Sequence, residues 1–268
     1  MDNKVTLVTL GCSWVYGVGS AYDPTNPTTD RQEYFKIAWN DSLNDKYSFR
    51  GILSEKYNLT NINLASGGSS NQRQFRLAKE FFMSDRYAEI KDTKIIVLWG
   101  ITSTARNEFY CLDEKSYLNF IYHQSSKVHK EKWNRDWPFP DLMLKYSYDH
   151  DVIVQELSLE MKFWNEFFTN RGITNYWFDT INPHDYSYCD RMLFRDKYTH
   201  GDLLSILANN AGLEEKDDVY HVSTWAPDTN RIKVLHELGL INTISFHPTR
   251  PGHEQLAELF YSVIEDSL

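Results

Sequence analysis

Apolar residues along this chain follow two rhythms, one of period two and one of three-and-four. Lys4 to Leu10 (KVTLVTL) alternates while staying largely apolar and stops at Gly11, which predicts a strand opening onto a polar turn. Asn61 to Ala65 predicts a second strand, and Lys94 to Trp99 (KIIVLW) a third whose β-branched run suits cover on both faces. Ile173 to Phe178 (ITNYWF) makes a fourth. Helical spacing lies between them, over Phe49 to Tyr57, Gln72 to Ile90 and Asp151 to Phe168. The last puts Ile153, Leu157, Met161, Trp164 and Phe168 on one face, with Gly172 as a stop. A final helix carries Leu256, Leu259, Phe260, Val263 and Ile264 in one stripe, with Thr249 as its cap and Pro251 near its start.

Strands alternating with helices predict an α/β fold, a central parallel sheet covered on both faces, in which sites gather at the carboxyl ends of strands. The reading is one domain, a flavodoxin-like three-layer sandwich, interrupted by insertions near 20–45, 110–148 and 184–230. The last of these contains a predicted helix at Asp202 to Asn210. No internal repeat or low-complexity tract is visible, which argues against a solenoid.

Composition narrows the classes. The 268 residues, 41% hydrophobic, suffice for one sizeable core. The net charge of −9 is spread over mixed-sign segments, which argues against a dedicated nucleic-acid binder. Cys12, Cys111 and Cys189 are too few and scattered for a disulfide framework or a zinc site. No stretch reaches membrane-spanning length, and VTLVTL is too short for a signal peptide. The expectation is a cytoplasmic protein with no membrane partner, compatible also with assembly into a virion.

Chemistry concentrates after the strands. Ser13 follows the first strand in LGCSWVYGVG, where a helix beginning just behind it would supply free N–H groups for an oxyanion; capping that helix is the simpler role. The residue two after it is Val15, so this is not the G-x-S-x-G elbow. His247, in SFHPTRPGHEQLAELF, projects from a loop that Pro248 stiffens, and histidine suits the base that a serine nucleophile needs.

Taken together, GCSWVYG resembles the first block of SGNH/GDSL hydrolases, NLASGGSSN the second, and HPTRPGH the closing block that supplies the histidine. They stand in the family's order, and the likeness is greatest to phage and bacterial members with GCS in place of GDS. The resemblance implies the SGNH hydrolase fold, Ser13 as nucleophile and first oxyanion donor, His247 as base, and Gly68 as second donor through its N–H. Two positions depart from the family. Its third block carries an asparagine donor where this chain has Gly100, Ile101, Thr102 and Ser103, leaving the Thr102 hydroxyl, or Arg106 or Asn107 from the next turn, to serve. Losing one such donor typically costs about 10²–10³ in rate. The acid expected three residues before the histidine is Ile244, so the imidazole must be oriented by a carbonyl, by Ser245, or by a distant carboxylate such as Asp179. In serine proteases that loss costs on the order of 10⁴.

Other features have plainer readings. Tyr110, Tyr117, Tyr122, Trp133, Trp137 and Phe139 can form a sugar platform but more simply an insertion core. The basic run Lys127, His129, Lys130, Lys132 and Arg135 reads as a solvated face, and Asp149 to Asp151 (DHD) point different ways on a helix, so no metal and no cofactor is expected. The expectation is a serine esterase with a Ser-His dyad, acting on a small acyl ester or acylated carbohydrate, with Ser245, Asn71 and Arg106 orienting groups or touching substrate. An acyltransferase, a non-catalytic SGNH-fold binding or virion protein, and a flavodoxin-like nucleotide binder are the alternatives.

Overall fold

The computed structural model describes residues 4–28, 30–112, 115–121, 149–180, 192–193, 202–213 and 229–268. Its centre is a sheet of β1 (Val5–Leu10), β2 (Thr60–Asn63), β3 (Lys94–Ile101) and β6 (Thr174–Asp179) in the order β2-β1-β3-β6, every pair parallel. Strand direction of travel reverses between β1 and β3, which makes the carboxyl ends of these two strands the switch point where such sheets hold ligands.

Successive strand residues face opposite layers, and both layers are apolar. Leu7, Ile96, Leu98 and Phe178 pack with Phe49 and Leu53 of α4 (Phe49–Lys56) and with Leu256 and Phe260 of α10 (Arg250–Ile264). Leu203 to Ala208 of α8 (Leu203–Asn210), capped by the Asp202 carboxylate, and Leu235 of α9 (Thr229–Glu237) join this layer. On the other face Val8, Leu10, Val97, Trp99 and Trp177 meet Ala78 and Phe82 of α5 (Asn71–Phe82) and Met161, Trp164 and Phe168 of α7 (His150–Thr169). Burial on both faces explains why β3 reads as a continuous apolar run. Trp99 and Trp177 stack at 4.7 Å, and their indole N–H groups donate to Gln74 and Asn165 at 2.7 Å each, so neither buried tryptophan leaves its polar edge unpaired.

The predicted strands and main helices are present, with shifted ends. The expected single helix from Gln72 to Ile90 is instead α5 and a short α6 (Asp85–Ala88), because the Ser84 hydroxyl accepts the Tyr87 N–H and starts a new helix there. The 20–45 segment is not irregular. It forms α2 (Arg31–Ala38), capped by Asp30, and α3 (Asp41–Tyr47), capped by Asn40, and its Tyr34 and Ala38 pack against Val18 and Tyr22. After β3 the chain turns into an antiparallel hairpin of β4 (Arg106–Cys111) and β5 (Ser116–Ile121). Arg76 of α5 fastens the hairpin with two 2.9 Å bonds to Glu108. Among the described residues no helix is long and apolar enough to cross a membrane.

Candidate active site

Ser13 opens α1 (Ser13–Tyr16), the short helix behind β1, and is not its cap; Cys12 holds the cap position, with its thiol bonded to Thr180 at 3.4 Å. Ser13 is 7% exposed, and its Oγ lies 2.6 Å from Nε2 of His247. The turn after β1 and the loop before the last helix therefore meet.

The loop carrying His247 is closed on itself. Asn242, fully buried, donates to the His247 carbonyl from both its backbone N–H (3.0 Å) and its Nδ2 (2.8 Å), and its Oδ1 accepts the Ser245 N–H at 2.8 Å. Phe246, immediately before the histidine, is held at φ 57, a left-handed conformation costing a non-glycine residue about 1 kcal/mol or more. That strain persists because the surrounding hydrogen bonds over-determine the loop. Gly19, at φ 90, lets the chain leaving α1 press against it: a Cβ there would sit 2.6 Å from the Pro248 carbonyl oxygen and 3.2 Å from the His247 Cβ. Trp14 flanks the imidazole at 6.2 Å.

His247 Nδ1 lies 2.9 Å from Ser245 Oγ, which in turn reaches Asn242 Oδ1 at 3.1 Å and the Tyr34 hydroxyl. One set of protons satisfies all of these contacts. The neutral ring carries its proton on Nδ1 and donates it to Ser245, Ser245 donates to Asn242 and accepts from Tyr34, and Nε2 is left to accept from Ser13. A serine hydroxyl thus stands where a carboxylate is usual in a Ser-His-acid triad. Asp179, the carboxylate suggested as a distant partner, is buried at the end of β6 and is not among the ring's partners. Enclosure by protein pushes the His247 pKa down to about 4; the Ser245 backbone opposes this shift, and the Arg106 guanidinium nearby adds to it.

Asn71, expected to orient or touch substrate, is held by two bonds within the fold. It is 4% exposed, and its amide exchanges two bonds with the Thr102 backbone, at 2.9 and 3.0 Å, tying the start of α5 to the end of β3. Those bonds anchor Thr102; one Nδ2 proton is left over, and the residue borders a cavity between α5, the hairpin and α7. Arg106, the first residue of β4, reaches back to the Thr102 hydroxyl at 3.2 Å. Asn107 turns its Oδ1 to the Glu108 N–H at 2.7 Å. Gly68 occupies the turn before α5 at φ 69 with open space beside its Cα. Neither the Ser13 N–H nor the Gly68 N–H donates to an acceptor among the described residues. Tyr34, Asn242 and Gly19 were missed in the sequence. Nothing in their spacing or in the composition around them marks them out.

His253, within the closing motif, is fully buried and accepts the Phe49 N–H on Nδ1 at 3.3 Å. Burial, with His247 and Arg50 nearby, pushes its pKa to about 3 from 6.5. Between those values the unfolded chain binds a proton that the native one does not, so stability falls as pH drops through that window. Urea unfolding of the wild type from pH 6.5 to 4.5 should therefore show a slope steeper than that of His253→Asn, by an excess that grows to about 1.4 kcal/mol per pH unit at the acid end. Equal slopes would contradict the buried, neutral ring.

Of the remaining expectations, Tyr110 and Tyr117 form an edge-to-face pair at 5.1 Å on the hairpin, each about half exposed, while Tyr122, Trp133, Trp137, Phe139 and the basic run from Lys127 to Arg135 lie outside the described residues. Asp149 caps α7, and among the described residues no cluster of His, Cys, Asp and Glu resembles a metal site.

No family model and no curated protein matches this chain in sequence. Searches by structure align it with a carbohydrate esterase described as having divergent catalytic and non-catalytic binding functions, at 12% identity and TM-score 0.46, over 99% of this chain and 69% of the other. An acetyl xylan esterase from the rumen bacterium Butyrivibrio proteoclasticus aligns at 12% identity and TM-score 0.45, over 100% and 64%. A putative lipolytic protein of the G-D-S-L family from Desulfitobacterium hafniense DCB-2 aligns at 11% and 0.39, over 94% and 95%.

Proposed function

We propose that this protein is a serine esterase of the SGNH type, acting on a small acyl ester or the O-acyl group of a carbohydrate. A cytoplasmic setting and a substrate that is neither nucleic acid nor membrane belong to the same proposal. The observation that carries it is the 2.6 Å contact between the Ser13 hydroxyl and His247 Nε2, with the opposite ring nitrogen held by Ser245. Ser13 Oγ attacks the ester carbonyl while its proton passes to Nε2, and the N–H groups of Ser13 and Gly68, with the Thr102 hydroxyl, take the developing oxyanion. The C–O bond to the alcohol then breaks, His247 returns the proton to the leaving oxygen, and water repeats the sequence to free the acid and Ser13. Acyl transfer to another hydroxyl shares the first half.

The hydroxyl in place of a carboxylate behind His247 favours a second reading, a non-catalytic binding protein on the same scaffold. Labelling with a fluorophosphonate and hydrolysis of p-nitrophenyl acetate separate the two. The esterase reading expects both signals in the wild type and neither in Ser13→Ala, whereas a folded wild type showing neither is a binding protein.

A further inference from the structure

Arg106 is 7% exposed, yet among the described residues its guanidinium bonds only the Thr102 hydroxyl and forms no ion pair. Of the other arginines buried this deeply or clamped to the hairpin, Arg50 meets Asp45 at 2.6 Å and Arg76 meets Glu108 at 2.9 Å. A guanidinium has five N–H donors in a planar fork that matches a carboxylate. Arg106 also lines a cavity of about 1040 Å³ between α5, the hairpin and α7, together with Thr104, Phe75 and Trp164. That cavity does not include Ser13 or His247; Arg106 borders it on one side and on the other is tied at 3.2 Å to Thr102, whose hydroxyl the esterase reading places at the oxyanion.

A cation that meets no carboxylate among the described residues, and whose charge is felt at the general base, is a liability for the proposed chemistry. His247 must become imidazolium as Ser13 attacks, and a neighbouring positive charge opposes that step. Among the described residues no carboxylate bonds the ring to offset it, because Ser245 holds Nδ1. A substrate anion seated on Arg106 would supply the missing negative charge at the moment it is needed.

We infer, building on the esterase reading, that Arg106 is a specificity residue that selects esters bearing a carboxylate, held on its free guanidinium donors beside the scissile bond. The carboxylate can belong to the acyl or the alcohol part. Two substrate pairs distinguish these: 4-nitrophenyl hydrogen succinate against its neutral methyl ester, and 4-acetoxybenzoate against methyl 4-acetoxybenzoate.

In the wild type, kcat/KM should favour the acid over its neutral isostere by about 10–100-fold in at least one pair, the range expected of a charged hydrogen-bonded contact. Arg106→Gln should bring that ratio to about one chiefly by slowing the acid substrate, and Arg106→Lys, which keeps the charge but not the fork, should retain part of it. The wild-type ratios need no variant, so a misfolded glutamine variant leaves the inference exposed to test. A wild type that prefers neither acid, or a ratio unchanged in both variants, overturns it while leaving the esterase intact.

A binding measurement separates the two ideas in the other direction. On the Ser13→Ala protein, 4-hydroxybenzoate and succinate are titrated by calorimetry, before and after adding Arg106→Gln. Carboxylate binding that needs Arg106 supports the inference even if no ester is turned over. Binding indifferent to Arg106, or absent for both acids, counts against it.

Discussion

Replacing His247 by alanine should lower turnover of a reactive ester by about 10²–10⁴, the usual worth of a positioned general base. The loss should be smaller than in a full triad, because the ring is backed by a neutral hydroxyl and starts from a weaker position. The wild-type pH profile carries the sharper signature. The active form is the neutral ring, whose pKa is pushed down to about 4, so kcat/KM should stay level as pH falls through 6.5, the midpoint of an ordinary histidine, and decline only toward 4. Stopped-flow assays with p-nitrophenyl acetate after brief pH jumps avoid the slower acid unfolding traced to His253. A midpoint near 6.5 would mean that the partial burial of the ring is too slight to disfavour its charged form.

Asn242→Ala should be nearly as damaging, on two fronts. The substitution leaves the Ser245 N–H and hydroxyl without their acceptor inside the protein, at about 1–3 kcal/mol for each buried group left unpaired. It also releases the loop that keeps His247 within reach of Ser13, and a displacement of about 1 Å can cost 10²-fold in rate. The expected result is a lower unfolding midpoint together with a fall in kcat at little change in KM. Asn242→Asp, which keeps the acceptor oxygen but not the Nδ2 donor, should recover part of both. If Asn242→Ala unfolds more readily yet its folded fraction turns over normally, the residue supports the loop without positioning the base.

The scaffold was legible because its signals are local and repeated. A strand buried on both faces, such as β3, must be apolar throughout, and a helix such as α7 must show one stripe, so period and length suffice. The two residues that meet, Ser13 and His247, were legible for another reason: one opens the helix after the first strand, the other lies in the short loop before the last helix, and both stand in recognisable motifs. Their surroundings were not. Tyr34 reaches Ser245 from a helix concealed in a polar, proline-bearing segment, and Asn242 acts through bonds to a backbone that folds back upon it. Neither contact has a periodicity or a fixed spacing. Asn71 was legible only in part, since a polar residue beside a glycine turn gives no sign of its partner, the Thr102 backbone, 31 positions away. Ser84 broke a helix that the apolar rhythm alone would have continued, because a cap satisfies N–H groups that the rhythm does not count.

The hydroxyl and the imidazole that touch are 234 positions apart in the chain. A polypeptide emerging from the ribosome can close β1 on β3 long before the loop at Asn242 has been made, so the nascent chain carries a formed sheet and an unassisted serine. On the esterase reading, the capacity to cleave an ester arrives only when the last helix docks and brings His247 to Ser13.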